Sequence, residues 1–198
     1  MMIHMFRYLL NTTTTVLALC LGLPFLTTSA LAEQLLAKPP DGWVQAYQLS
    51  NDATRLVEYV PEGESDTRWT AKLSFESFAG MVDVDPIEIL LTEVTEDRKT
   101  CSFVQHFNLF SGNENNYPTS VRLFMCGERT GRNQGEIKII KAISGESFFY
   151  LVKIISRIAP FEVNDPEFDK TTIASWSTYL RDVSLCNADN PSHPCPES

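Results

Sequence analysis

Residues 135–158, GEIKIIKAISGESFFYLVKIISRI, constrain the fold more than any other stretch of the chain. Two apolar arms flank a turn at Ser144, Gly145 and Glu146. Ile dominates the first arm, and Phe, Tyr, Val and Ile the second, which suits a pleated, buried surface. On the second arm Phe148, Tyr150, Val152 and Ile154 point to one side, and Phe149, Leu151, Lys153 and Ile155 to the other. A strand that is apolar on both sides belongs in the middle of a sheet. The hairpin is therefore the centre of a folded core, and it carries no evident chemistry.

The flanking sequence supplies the rest of that sheet. Residues 43–49 and 54–60 read as strands around a turn at Asn51 and Asp52. Residues 61–67, PEGESDT, form an acidic loop. Over residues 69–78, Trp69, Ala71, Leu73 and Phe75 alternate with Thr70, Lys72, Ser74 and Glu76, which predicts one buried and one wet face. Asp85, Pro86 and Glu88 give a helix start by capping residue, N1 proline and capping-box acid, and Ile87, Leu90, Leu91 and Val94 make its apolar stripe. Residues 102–110 and 120–126 predict a hairpin across the loop SGNENNYPT. A second helix opens at Asp165 and Pro166, with Phe168, Ile173, Trp176 and Leu180 near one face, and residues 183–185 add a short strand. The reading is an α+β fold: a mostly antiparallel β-sheet of about six to seven strands packed with two α-helices as a sandwich.

Residues 1–32 read as a cleaved signal peptide. Arg7 is their only Lys or Arg, residues 16–26 are the apolar run, and Ala30, Leu31 and Ala32 give a small-x-small cleavage pattern. The run is shorter than the roughly 20 apolar residues that span a bilayer. Cys20 is preceded by Leu19, where lipidation requires a small residue. The expected divisions are the signal peptide at 1–32, a single α+β domain at 33–185 whose first residues to Asp41 are loosely ordered, and a Pro-rich, disulfide-closed tail at 186–198. The chain carries 16 Lys and Arg against 25 Asp and Glu, a net charge of −9, and loss of Arg7 makes the remainder more acidic. That charge opposes binding to nucleic acid and to anionic membrane surfaces and favours a basic partner.

Cleavage leaves Cys101, Cys126, Cys186 and Cys195, an even set in an exported chain, which reads as disulfides. Of three connectivities, Cys101–Cys126 at the open end of a hairpin and Cys186–Cys195 across a small tail loop are favoured. A metal site from Cys186, His193 and Cys195 is the rival, at spacings wider than zinc sites use.

The element order and the segments GWVQAYQLSN and TRLVEYVPEGESDTRWTAKLSF resemble the sandwich of PsbP-like photosystem proteins and Mog1, over most of the mature chain. The opening PPDGWVQAYQ followed by EYVPEGE also resembles uncharacterised secreted proteins of Gram-negative bacteria. The resemblance implies a binding or assembly factor without catalysis, and transfers no site residues.

Candidate chemistry is sparse. His106 lies mid-strand, where it could act as a base with Ser111 or Ser120 and an acid. His193 sits between two tail prolines and is expected to be exposed. Residues 145–149 lack the second glycine of a nucleophile elbow. Gly127, Gly131 and Gly135, with Arg129 and Arg132 between them, make the one local basic feature, an anion or partner contact. The carboxylates at Glu58, Glu62, Glu64 and Asp66, and at Asp83 and Asp85, match neither a glycosidase pair nor a calcium loop and read as surface. Trp43, Trp69 and Trp176 are core residues, or the wall of an apolar ligand cleft between sheet and helix.

The expectation is a monomeric, periplasmic or secreted, non-catalytic binding or accessory protein with an unknown protein partner. It needs no cofactor or metal and makes no stable membrane insertion after cleavage. The alternatives are a carrier or sensor of a small apolar ligand, and a hydrolase using His106.

Overall fold

The computed structural model describes residues 33–163 and 170–196. In chain order the elements are β1 (Gln34–Leu36), β2 (Trp43–Ser50), β3 (Thr54–Pro61), β4 (Ala71–Ala79), α1 (Pro86–Asp97), β5 (Val104–Glu114), β6 (Tyr117–Cys126), β7 (Gly135–Ser144), β8 (Phe148–Ile158), α2 (Lys170–Asp182) and β9 (Ser184–Cys186). Seven strands form one antiparallel sheet in the order β2-β3-β4-β8-β7-β6-β5, and β1 pairs with β9 in a second, two-stranded sheet. The α+β sandwich is thus present. The hairpin β7–β8 lies at its centre, between β4 and β6.

Alternation along these central strands divides the core into two layers. Ile140, Phe149 and Leu151 pack with Phe124 against Leu90 and Val94 of α1. Ile139, Val152 and Ile154 pack with Leu73 and Leu123 on the opposite face, against Leu180 of α2. Each helix therefore covers its own face of the sheet. Helix α1 begins as its sequence requires: Asp85 accepts a 2.8 Å hydrogen bond from the Ile87 N–H, and Pro86 opens the first turn. The start of α2 at Asp165 and Pro166, with Phe168, and the leader at 1–32 lie outside the described residues.

Four expectations are corrected. The stretch after residue 32 is not loose: β1 pairs with β9, and buried Glu33 accepts hydrogen bonds from the Glu146 and Ser147 N–H groups. The loop SGNENNYPT belongs almost wholly to the ladder. Only Asn115 and Asn116 turn, both at positive φ (47° and 63°), the conformation that a two-residue hairpin turn demands and Asn tolerates. The polar face of β4 is not wet, because the neighbouring strands pair its charges: Ser74 is buried, Lys72 meets Glu58 of β3 at 2.9 Å, and Glu76 meets Lys153 of β8 at 3.3 Å. His193 is not exposed: its ring stacks 3.8 Å from Tyr117, and its Nδ1 lies 2.8 Å from the Asn115 carbonyl oxygen.

Candidate partner-binding edge

The cysteines pair as Cys101–Cys126 and Cys186–Cys195. The second pair uses both sulfurs of the rival metal set. The tail it closes is pinned by Asn115 and Asn116, whose side-chain amides donate to the carbonyls of Leu185, Pro194 and Ser192 at 2.7–3.0 Å. A cleft of about 500 Å³ beside it is lined by Asp83, Asp85, Asn116, Tyr117, Glu146 and His193. Its polar groups serve fastening: Glu146 accepts from Asn187 and Asn190, and Asp85 caps α1.

The two arginines singled out in the loop 127–135 part company. All three Arg129 nitrogens are engaged: Nε with Glu136 at 2.5 Å, Nη1 with Thr100 Oγ1 at 2.8 Å, Nη2 with Asp97 at 3.0 Å. Burial alone would lower the Arg129 pKa, but Glu136 and Asp97 hold it above its ordinary value. Arg132 is exposed on the same loop. Arg129 belongs to a chain of charges under α1 that continues through Lys138 to Asp97 (2.7 Å) and Lys153 to Glu93 (3.1 Å). This network is structural, and the sequence hides it because its members are scattered over α1, β7, β8 and two loops.

Among the described residues His106 has no acid beside it. Its Nδ1 lies 2.8 Å from Arg122 Nη1. Ser111 Oγ donates instead to Asn108 Oδ1 at 3.0 Å, and Ser120 Oγ to the Phe110 carbonyl at 3.2 Å. Burial first, then Arg122 and Arg98, hold the imidazole below its ordinary pKa. A base–serine unit with an orienting carboxylate is therefore not assembled. Nor do the tryptophans wall a ligand cleft. Trp43 meets Trp176 edge-on at 5.5 Å, and the crevice between sheet and α2 at Ile139, Ile154 and Trp176 holds about 100 Å³, against the roughly 300–1,000 Å³ of ligand pockets. Trp69 is a platform for cations, with the Arg157 guanidinium 3.4 Å from its ring centroid.

The exposed feature is β5 itself. It is a sheet edge, 11 residues long, and it displays Phe107, Leu109 and Phe110 at 49%, 44% and 37% exposure. The register slips between Asn108 and Phe110, leaving Leu109 as a bulge. A groove of about 340 Å³ runs beside it, between Leu109, Phe110 and Val121 of the sheet and Ser177, Leu180 and Arg181 of α2. The opposite edge, β2, shows Val44, Tyr47 and Leu49, each at 41%. It is shorter, at 8 residues, and displays one aromatic. Sequence reading placed β5 correctly to Phe110, but an edge cannot be told from an interior strand before the strand order is known.

No protein-family model matches the chain, and no curated protein is similar to it. Among solved structures, LpqN of Mycobacterium tuberculosis, involved in cell envelope biogenesis, is similar with a TM-score of 0.38 and 9% identity, over 78% of this chain and 83% of that one. At that level the likeness assigns neither a family nor a role.

Proposed function

We propose that the protein is an exported, disulfide-stabilised accessory protein of the bacterial envelope, periplasmic or secreted, which acts by binding rather than by catalysis. It takes an extended apolar segment of a cationic partner protein along β5. The observation that carries this reading is the open β5 edge with its three displayed apolar side chains. An edge strand offers a row of unpaired N–H and C=O groups, and its natural complement is another strand. Phe107, Leu109 and Phe110 supply contact area that water solvates poorly. The net charge of −9 disfavours a second copy and favours a basic partner. Two disulfides fit an oxidising compartment. The resemblance to PsbP-like proteins and Mog1 implies the same absence of catalysis.

The test is photo-cross-linking in the envelope fraction from a benzoylphenylalanine placed at Leu109, with the adduct sequenced. The expected result is one defined partner, attached through an extended basic–apolar segment. Its capture should weaken as salt is raised and vanish in the Phe107→Lys variant. Adducts only with a second copy of this chain, or capture indifferent to Phe107→Lys, would reject the reading.

A further inference from the structure

We propose that Arg122 and His106 form a binding site for an oxyanion, a carboxylate or a phosphate group. The site lies on the α1 face of the sheet and goes beyond the partner reading of the β5 edge.

Arg122 projects from β6 opposite Asn108 and is only 9% exposed. Among the described residues its one hydrogen bond runs from Nη1 to His106 Nδ1 at 2.8 Å, and its buried Nε–H has no partner. A guanidinium out of water without a counter-charge is costly, and buried charges are as a rule paired. The other cations under α1, buried Lys138 and half-buried Lys153 and Arg129, obey that rule, and each meets two carboxylates. Around Arg122 the neighbouring charge is instead positive, since Arg98 acts on the same imidazole. In a chain with a net charge of −9 this is a local deficit of negative charge.

The geometry says what would fill it. Nη1 is committed to His106, which leaves the Nε–H and Nη2–H edge. Those two parallel donors match two oxygens of one carboxylate or phosphate. A guanidinium only donates, so His106 Nδ1 accepts and its Nε2 carries the proton. Exposed Asn108, opposite Arg122, has its Oδ1 taken by Ser111 and offers its amide N–H₂ group to an incoming anion. Donors therefore outnumber acceptors here. An anion would satisfy them and would raise the lowered His106 pKa.

The oxidised full chain is titrated in chloride-free buffer at constant ionic strength with sodium acetate and, separately, with sodium phosphate. The Arg122 Nε–H and His106 ring resonances are followed by NMR. Saturable shifts at both groups are expected, with the His106 pKa rising in the presence of the probe. Response to phosphate alone assigns a phosphate group, and to acetate alone a carboxylate. Arg122→Gln should weaken binding about 10- to 100-fold, as loss of a charged hydrogen-bonding group does. Arg122→Lys, which keeps the charge without the fork, should also weaken it, and Arg68→Gln on a distant exposed loop should not. Absence of saturable shifts with both probes in the unsubstituted protein overturns the site, and that measurement does not depend on any variant folding. A larger effect from Arg132→Gln than from Arg122→Gln would overturn it too, moving anion binding to the loop.

Discussion

Lys141 has no exposed surface, yet its ammonium is well partnered. It donates to the Leu180 and Val183 carbonyls at 2.9 and 2.6 Å and meets Glu114. A cation thus closes the carboxyl end of α2, where helix carbonyls lack partners and the dipole is negative. Lys141→Met should cost about 3 kcal/mol in urea unfolding, because two carbonyls and a carboxylate lose their donor together. Glu93 answers to pH in a defined direction. Burial alone would raise its pKa, but Lys153 and Lys138 outweigh burial, and it sits below its ordinary 4.5. A depressed carboxylate contributes stability that is full above the unfolded pKa and is lost as pH falls through the folded one. Acid unfolding followed by circular dichroism should therefore show a fall below about pH 4.5 that Glu93→Gln flattens. None of these pairings was legible in the sequence, where nothing marks which carboxylate Lys138, Lys141 or Lys153 meets. A buried lysine and an exposed one look the same until the partner that neutralises it is in place.

Among elements, those with strong local signals were the legible ones. The hairpin β7–β8, the strand β6 and the capped start of α1 follow from apolar alternation and from Asp85-Pro86. The β5–β6 turn was missed because two asparagines carry the turn where glycine is the usual sign. Asn115→Ala would place a side chain with no local hydrogen bond at φ 47° and release the Leu185 and Pro194 carbonyls. It should cost about 2 kcal/mol and loosen the tail, read as faster amide exchange over residues 187–195. On the open edge, Phe107→Lys should move stability by less than about 0.5 kcal/mol, since Phe107 is half exposed and caps nothing. That insensitivity separates a binding role for β5 from a structural one.

At the scale of the whole molecule, the two disulfides close loops of different size, with sequence separations of 25 and 9. Loop-closure entropy then assigns about 3.5 kcal/mol to Cys101–Cys126 and about 2.6 kcal/mol to Cys186–Cys195. Paired Ser substitutions should rank in that order in chemical denaturation. The overall class and both pairings could be read from the sequence because they rest on pattern and spacing. Of the two-stranded sheet only β9 could be read, as residues 183–185; β1 could not, since three residues carry no periodicity and its partner lies at the far end of the chain. That sheet joins Gln34 to Cys186 and Leu36 to Ser184. A chain that emerges amino end first must hold its opening strand in waiting until its closing strand arrives. Residues 34–36 are thus among the last of the domain to settle, and a polypeptide cut short before Ser184 leaves β1 without the strand that pairs with it.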